Sequence, residues 1–583
     1  MPDQAGEALK DRFLELESAG LGHFRKYLVR RWANFREVGR FALTWLIAVT
    51  VIAMLVVQQT NALSNQYTAE VPAAGGVYTE GVSGKAENFN PLFVSSQAES
   101  AVSHLIFSGL LKYDAQNNLV GDLARSWSAD ESGRVYTVTL RDNLRWHDGV
   151  SITADDVIYT VKTIQDDSTR SPLASSWKGV GVKALNSATV QFTLPSAFPP
   201  FPYSLTSGII PKHKLAETPN FRLRTANFNV EPTVGSGPFI FRENRSYNGH
   251  HEVRLDRNED YHGSVAKPER FVVYAYESDE ALVTAFKNHE ISAAGGLPAA
   301  AAKEFAESDK GAAVVDNSPL LHETLAFFKT SQPRLQDVRV RAALSAATDK
   351  TRLMSVMGNI YKQANLPLLP GQLGYAPDLD KHTYNLNRAK ELLDEAGWKL
   401  DKDGIRKKDG QKMELTLAAS TSDEYPAVAA ELQRQWQQLG ISIKPNLIKP
   451  SDFQQNVILP HNYDILLYEI SLGKDPDVFA YWDSSQAGDR GLNLSEYRSE
   501  RVDDALRSGR TRTNPDLRTA KYRAFIEQWL ADSPAVALYQ PSYSYAHRTS
   551  VGGYQNRVLV DGTGRFFNIT DWTANSKKAT ITH

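Results

Sequence analysis

An uncharged apolar run near the start of the chain restricts what its N-terminal part can become. Residues 41–57, FALTWLIAVTVIAMLVV, carry no charged side chain. A run of this length is near the lower limit for crossing the roughly 30 Å hydrocarbon layer of a bilayer. Arginines and lysines are frequent in residues 25–40, whereas the following segment, QQTNALSNQYTAE, has no basic residue. This asymmetry predicts one transmembrane helix at 41–57, with the N-terminus in the cytoplasm and the main part of the chain outside.

A buried core helix or a cleaved signal peptide could also contain a run of this kind. The segment ahead of it, about forty residues, is long for a signal peptide, which favours an uncleaved anchor. Residues 1–40 form a basic segment whose apolar residues recur at helical spacing, namely Phe24, Tyr27, Leu28, Trp32, Phe35 and Val38. It is either an amphipathic helix on the inner leaflet or a cytoplasmic extension of the spanning helix. Residues 58–74 are expected to be a polar linker.

Charge and cysteine content exclude several classes of function. The 583 residues include 65 Lys and Arg against 67 Asp and Glu, a net charge of -2 that gives no indication of nucleic-acid binding. The chain has no cysteine, which excludes disulfides, cysteine-ligated zinc, iron–sulfur clusters, thiol nucleophiles and a lipidated N-terminal cysteine. A spanning helix would then be the only tether that keeps the chain near a membrane partner.

Strand and helix patterns alternate after residue 74. Alternating or continuous apolar residues predict strands in RVYTVTL, ERFVVYAY, DILLYEI and ISIKPNLI. Helical periodicity predicts helices in SDEALVTAFKNHEI, DVRVRAALSAATDKTRLMSVM, NLNRAKELLDEAGW and AVAAELQRQWQQLG. For the third helix, Asn387 is the expected N-cap and Gly397 the C-terminal stop. This interleaving predicts a mixed α/β protein.

The stretch LRWHDGVSITADDV, residues 144–157, places His147 beside Asp148. Such a pair could belong to a metal site, an acid–base pair or a turn. The Asp-Gly dipeptide favours a turn, because Gly takes positive φ without penalty and Asp tolerates it. Thr153 stands three residues before Asp156, the spacing of a helix capping box. We therefore predict a strand, a turn and a capped helix rather than a catalytic or metal site.

Motifs of catalysis and metal binding are weak throughout the chain. The 13 histidines are scattered, with no HExxH or HxH pattern, and no acidic calcium loop occurs. The nearest approach to a ligand cluster, His250-His251-Glu252, favours an exposed hairpin tip. Ser175 to Lys178 fit the SxxK pattern of serine acyl-enzymes, but no KTG follows. No catalytic residue, metal ligand or cofactor is predicted, and a hydrolase of wall peptides acting through Ser175 is the weakest hypothesis.

Short motifs follow one another in a fixed order along most of the chain. They are ENFNPLF at 87–93, GDLARSWSADESGRVYTVTLRDNLRWHDGVSITADDVIYT at 121–160, GSGPF at 235–239, NEDYH at 258–262, DVRVRAALSAATDK at 337–350, YNLNRAKELLDEAGW at 384–398, DP at 475–476 and SERVDDAL at 499–506. This series resembles family 5 of the extracellular solute-binding proteins, the dipeptide-, oligopeptide- and nickel-binding subunits of ABC importers. The resemblance covers roughly residues 75 to 575.

The resemblance implies an α/β fold of the type II periplasmic-binding-protein kind, with two hinge-closing lobes and an extra domain, preceded here by one transmembrane helix. Lobe I would combine residues 75–110, 234–322 and 544–575. Domain II would occupy 111–233 and lobe III 323–543. The ligand would be captured between lobes I and III, and the closed form would dock on a permease.

The chain departs from the family pattern around the expected ligand. Peptide-binding relatives usually hold the ligand's α-ammonium with an Asp four residues before the Pro of DP, and that position is Leu472 here. They also tend to have Gly-Trp where this chain has Tyr468-Glu469. For the ligand's carboxylate, dipeptide binders use a basic residue in a loop that here contains Asp423 and Glu424. An apolar residue cannot neutralise an ammonium, and an acid repels a carboxylate. Free dipeptides are thus disfavoured.

The resemblance implies ligand contact for Ser95, Ser96, Gln97, Tyr468, Glu469, Leu472, Asp475 and Trp482. Glu469 or Asp475 could take over the ammonium, or the ligand could be a longer peptide or a small cationic compound. The leading hypothesis is a monomeric, membrane-anchored, extracellular substrate-binding protein that delivers oligopeptides to the permease of an ABC importer. The alternative is a surface sensor or chaperone-like peptide holder without a transport partner.

Overall fold

The computed structural model describes residues 35–247, 249–308, 313–488 and 491–580. In this part of the chain the α-helices are α1 Phe35–Tyr67, α2 Gln97–Ile106, α3 Ala154–Gln165, α4 Phe201–Ser204, α5 Lys212–Leu215, α6 Asp279–Lys287, α7 Ala299–Ser308, α8 Val338–Ala346, α9 Lys350–Val356, α10 Leu386–Glu395, α11 Tyr425–Gln437, α12 Pro450–Phe453, α13 Phe479–Trp482, α14 Glu500–Thr511 and α15 Pro515–Asp532. A 3₁₀ segment follows at Gly562–Asp571.

The strands alternate with these helices, as the sequence pattern predicts. They are β1 Thr68–Ala73, β2 Val77–Ser83, β3 Leu111–Tyr113, β4 Leu119–Gly121, β5 Ala124–Ala129, β6 Val135–Leu140, β7 Gly181–Asn186, β8 Thr189–Thr193, β9 Phe239–Tyr247, β10 His250–Arg257, β11 Arg270–Tyr276, β12 Ala293–Gly295, β13 Ala313–Pro319, β14 His322–Phe328, β15 Lys362–Gln363, β16 Lys399–Leu400, β17 Arg406–Lys408, β18 Gln411–Lys412, β19 Glu414–Ser420, β20 Ser442–Ile448, β21 Ile465–Ser471, β22 Ala535–Gln540, β23 Ser542–Arg548 and β24 Asn575–Thr580.

A seven-stranded sheet gathers segments that are far apart in the chain. Its strand order is β13-β23-β12-β2-β11-β10-β9. The central strand β2 pairs in parallel with β11 and β12, whereas β23 returns from the C-terminal part and runs antiparallel to β12 and β13. Tyr78 and Val82 of β2 are fully buried. The sheet therefore needs residues near both ends of the chain to complete its core.

A six-stranded sheet forms a second centre of packing. Its order is β15-β22-β14-β21-β19-β20, with β14 antiparallel to both β21 and β22 and β19 parallel to β20 and β21. Trp436 packs in the core on one side, and Trp482 in the core that also contains Leu466. The apolar residues 465–467 at the start of β21 fit this position, because strands that are covered on both faces lack polar alternation.

The predicted turn and capped helix of residues 144–157 are confirmed. A small four-stranded sheet, β5-β6-β8-β7, precedes and follows this stretch. Gly149 has φ of +85° after Asp148, and a full capping box joins Thr153 and Asp156 at the start of α3. Partial burial raises the pKa of Asp148, but hydrogen bonds from His213 and Lys214 outweigh it and lower the pKa to about 2. The carboxylates of this stretch thus serve local structure.

His147 connects two of the family-like motifs. Its Nδ1 accepts a hydrogen bond of 3.2 Å from the Gly235 N–H, so the ring proton is on Nε2, which lies 3.1 Å from the Gly237 carbonyl oxygen. Burial lowers the pKa of His147 to about 4, so the ring is neutral at physiological pH. A neutral imidazole can donate and accept at the same time, which is what this contact with the GSGPF segment requires.

Two helix boundaries differ from the predictions. The predicted helix of residues 337–357 is two helices, α8 and α9, because Asp349 caps a new start by accepting the Arg352 N–H. The N-cap of α10 is Asn385 rather than Asn387, and its side chain accepts the Arg388 N–H. Both errors arise where several Asp or Asn residues offer competing cap positions.

Helix α1 contains the apolar run and continues through the first part of the predicted linker. Phe41, Trp45, Leu46 and Met54 are each at least 62% exposed. Nevertheless, none of the helices in the described residues combines the length and the apolar character needed to cross a membrane. The predicted transmembrane helix is therefore not confirmed. Most of the predicted basic segment, residues 1–34, lies outside the described residues.

Candidate functional site

A cavity of about 740 Å³ opens beside helix α2. It is lined by the N-terminal turn and one face of α2, by the β3–β4 region, by Thr206 and Gly208, by Tyr261 and by the segment from Arg557 to Thr570. Its volume lies within the range of about 300–1,000 Å³ that is usual for ligand pockets. The predicted contact residues Ser95, Ser96 and Gln97 all line it.

The two serines at this end of the cavity also shape the start of α2. Ser96 is the N-cap: its Oγ accepts the Glu99 N–H at 3.1 Å and donates to the Lys85 carbonyl oxygen at 2.6 Å. Ser95 donates through its N–H and its hydroxyl to the Glu99 carboxylate, at 2.8 and 2.9 Å. Gln97 is exposed to the cavity and makes no side-chain hydrogen bond within the described part of the chain. Of the three, Gln97 is the residue whose polar group is available to a ligand.

The other predicted contact residues lie in or near the six-stranded sheet, away from this cavity. Leu472 is 5% exposed and packs in the core. Trp482 has no exposed surface and stacks on Phe327 at 5.5 Å between ring centroids. Asp475 forms an ion pair with Arg518, whose Nη2 lies 2.8 Å from the carboxylate. Packing and pairing already occupy these three side chains.

Glu469 belongs instead to a group of carboxylates that come from separate segments of the chain. Its carboxylate lies 2.6 Å from Nδ1 of His322, on the neighbouring strand β14. Glu424, at the start of α11, accepts hydrogen bonds from Tyr539 at 2.8 Å and Tyr361 at 3.2 Å. Asp423 precedes it with φ of +52°. We call Asp423, Glu424 and Glu469, together with Asp279 of α6, the acidic cluster.

The members of the acidic cluster act on each other electrostatically. Burial, and then the charge of Asp279, raises the pKa of Asp423, and Glu469 adds to the effect. Asp423 keeps more than a third of its surface exposed, so its burial is only partial. Burial also raises the pKa of Glu424, outweighing its hydrogen bonds from Tyr539 and Tyr361. In the described residues, no lysine or arginine forms an ion pair with Asp279, Asp423 or Glu424.

Tyrosines surround the cluster and complete its wall. Tyr361, Tyr425, Tyr468 and Tyr539 each have a raised pKa, first through burial and then through the nearby carboxylates. Tyr468 is thus the one predicted contact residue besides Glu469 that lies in this wall. Negative charge framed by aromatic rings favours a cation, because carboxylates and ring faces both attract positive charge.

The SxxK pattern of residues 175–178 has ordinary surroundings. Ser175 and Lys178 are both exposed, and Ser175 lies in a short 3₁₀ segment, Ala174–Trp177. Within the residues that the structure covers, no group of three or more His, Asp or Glu side chains is arranged to hold a metal ion.

Comparison with known proteins identifies relatives over nearly the whole described chain. The family model "Bacterial extracellular solute-binding proteins, family 5 Middle" matches residues 118–491. The oligopeptide-binding protein AppA of Bacillus subtilis (strain 168) is 26% identical over 552 residues, which cover 91% of this chain and 98% of that protein.

Solved structures share the same architecture. The crystal structure of NikZ from Campylobacter jejuni in complex with Ni(L-His) is 27% identical, with a TM-score of 0.73, covering 85% of this chain and 99% of that one. The structure of AppA from Bacillus subtilis in complex with a nonapeptide is 25% identical, with a TM-score of 0.71, covering 86% and 99%. The fold is therefore the α/β fold of these periplasmic-type binding structures.

Proposed function

Because the chain belongs to family 5 of the bacterial extracellular solute-binding proteins, we propose that it binds peptides and delivers them to the permease of an ABC importer. The observation that carries the peptide assignment is the acidic cluster, in which Asp279, Asp423 and Glu424 have no cationic partner among the described residues. A peptide's α-ammonium would supply that charge. Relatives named for peptide binding, such as AppA, support the same assignment.

The position of the cluster suits capture by closure of two lobes. Asp279 belongs to a helix beside the seven-stranded sheet, and Asp423 follows β19 of the six-stranded sheet. A cation between these two carboxylates would draw the two sheets together, because it relieves the repulsion between the negative charges on either side. Binding then favours the closed form by the difference in affinity between open and closed states. This closed form is the one that would present a docking surface to the permease.

Calorimetry on the full-length protein tests the proposal directly. We expect heat of binding from oligopeptides with a free N-terminus, and none from the same peptides with an acetylated N-terminus. A folded protein that binds neither peptides nor small cationic compounds would refute the proposal. Recovery of permease subunits in a pull-down from membranes supports import, whereas recovery of a signalling kinase in their place would favour a surface sensor.

Attachment to a membrane is a separate part of the proposal. Its support is the exposed apolar surface of α1 around Trp45 and Met54 together with the basic residues that precede it. We expect protease added to intact cells to remove the large domain and to leave an N-terminal fragment protected. Protection of the whole chain would contradict the outward orientation, and loss of every fragment would contradict the attachment.

A further inference from the structure

The four-stranded sheet shares one core with the seven-stranded sheet. Val138 of β6 and Tyr78 of β2 belong to the same continuous group of buried apolar residues, whereas the cores on the two faces of the six-stranded sheet are separate groups. We call residues 77–319 and 542–572 the two-sheet part, and residues 322–540 the six-stranded part. Because closely packed cores move as units, a hinge motion would carry the six-stranded part against the two-sheet part as a whole.

Arg510 of α14 lies between an aromatic ring of each part. Its guanidinium carbon is 4.2 Å from the ring centroid of Phe479, in its own part, and 5.1 Å from that of Phe198, in the two-sheet part. Phe198 packs against the shared core, and its carbonyl oxygen accepts a hydrogen bond of 3.3 Å from the Tyr136 hydroxyl. A planar guanidinium is attracted to ring faces on both of its sides. Arg510 therefore connects the two parts.

Asp477 holds the Arg510 side chain in this position. Its carboxylate lies 3.0 Å from Nη2 of Arg510, whose side chain keeps 27% of its surface exposed. Burial raises the pKa of Asp477, and the charge of Arg510 opposes this rise. The guanidinium is thus oriented by its own part of the molecule and meets Phe198 as a prearranged, partly desolvated cation, which strengthens the contact with the ring.

Two further contacts join the same regions of the two parts. The turn between β5 and β6 meets the junction of α14 and α15, where a Cβ built at Gly133 would be 2.6 Å from Cγ2 of Thr513. Glycine also suits this turn because its φ is +66°. Burial, and then the charge of Asp475, raises the pKa of Tyr203 in α4, which indicates that this carboxylate lies near the Tyr203 ring. The four-stranded sheet and its connections therefore contact the six-stranded part at several points.

From these contacts we propose that residues 111–233 form a closing element of the hinge, in which the Phe198 ring packs on Arg510 in the closed protein and separates from it on opening. The inference goes beyond the proposed function, because it concerns the hinge and holds for any ligand. Such a contact stabilises the closed form at a distance from the acidic cluster. A ligand between the two parts then binds more tightly, because it supplies less of the free energy of closure.

The absence of cysteine from the chain allows this motion to be measured directly. Ser128→Cys in β5 and Ser355→Cys in α9 introduce one exposed labelling site in each part. Spin labels at these two sites, measured by pulsed electron paramagnetic resonance in the full-length protein without added ligand, give the distribution of distances between the parts. The distance of the present structure marks the closed form and longer distances mark the open form, so the distribution gives the ratio of closed to open protein.

Phe198→Leu removes the ring from the contact and leaves the Arg510–Asp477 pair intact. The ratio of closed to open protein should fall about fivefold, the effect of losing one partly desolvated cation–π contact. Phe221→Leu is the matched control, because Phe221 is 65% exposed and its ring lies 5.5 Å from the Arg222 guanidinium within the two-sheet part. It should leave the ratio unchanged. Equal ratios for Phe198→Leu and the labelled protein without it, or no closed form in the latter, would overturn the proposal.

A second variant, Thr513→Phe, separates the two parts by size. The larger side chain meets the turn at Gly133 and should lower the ratio of closed to open protein about tenfold, because there is no space for it in the closed form. Thr383→Phe, at an exposed position in the loop before α10, should leave the ratio unchanged. An unchanged ratio for Thr513→Phe would show that the parts do not meet here on closing. Failure of the proposed function would give a different result, namely no peptide binding by a protein whose ratio responds to these variants as expected.

Discussion

Replacing Glu80 with glutamine is expected to destabilise the protein by about 3–5 kcal/mol, the usual result of leaving one buried charge without its partner. Glu80 is fully buried on the central strand β2, and its carboxylate pairs with Arg565 at 2.5 Å and accepts from the Tyr545 hydroxyl at 2.9 Å. The Arg565 guanidinium is 2% exposed and lies 3.9 Å from the ring centroid of Phe566. Removing the negative charge leaves that guanidinium buried and uncompensated.

The pair also joins parts of the chain that are 485 residues apart. It connects β2 of the seven-stranded sheet to the 3₁₀ segment Gly562–Asp571. Loss of the pair should therefore weaken the packing of this segment against the sheet. Thermal unfolding of Glu80→Gln measures the effect. The control is Glu414→Gln, which breaks the exposed pair with Lys444 and should change stability by less than about 1 kcal/mol. Equal thermal midpoints for the two variants would show that the buried pair contributes no more to stability than the exposed pair does.

Combining Asp423→Asn with Glu424→Gln should weaken the binding of a free oligopeptide by about 2 kcal/mol or more, roughly 30-fold in Kd. The two substitutions remove negative charge from the acidic cluster while keeping the shape of both side chains. The α-ammonium of the peptide then loses its nearest counter-charges. Combining Glu391→Gln with Glu395→Gln, at two exposed positions of α10, changes the net charge by the same amount at a distance and should have no effect on Kd.

The pH dependence of binding gives this prediction a second measurement. The pKa values of Asp423 and Glu424 are raised, so part of each carboxylate population is protonated as the pH falls toward the acid range. An ammonium binds the ionised forms, which means that binding releases protons and that affinity rises with pH until both groups are ionised. The double variant should lose this dependence. Equal binding of free and N-acetylated peptide at every pH would exclude an ammonium at the cluster.

Local chemistry was sufficient to predict the neighbourhood of His147. The Asp-Gly turn and the Thr153–Asp156 capping box depend only on residues a few positions apart, and both are present in the structure. What His147 itself does was not predictable in this way, because its partners Gly235 and Gly237 are about ninety residues away in the chain. The motif holds two distant segments together.

The predicted ligand-contact residues likewise could not be assigned from their local sequence alone. Tyr468 and Glu469 lie in a wall that can attract a cation, whereas Leu472 and Trp482 are buried in the core. All four are close in sequence, and whether each faces the site depends on the strand register and on the helices that cover the sheet. His104 and Tyr543 line the cavity beside α2, and the sequence did not predict this because nothing in their local sequence distinguishes a residue beside a cavity from one at the surface.

By itself, the sequence determined the alternation of strands and helices, the family and most of the local turns and caps, since these follow from neighbouring residues and from motifs in order. Only the tertiary structure decided which charges are paired and which are not. Asp475 has Arg518 and Glu80 has Arg565, whereas Asp423 and Glu424 have no basic partner in the described part of the chain. The physical reason is that charge pairing and burial depend on distances in space between residues that are hundreds of positions apart, and a linear pattern does not contain those distances.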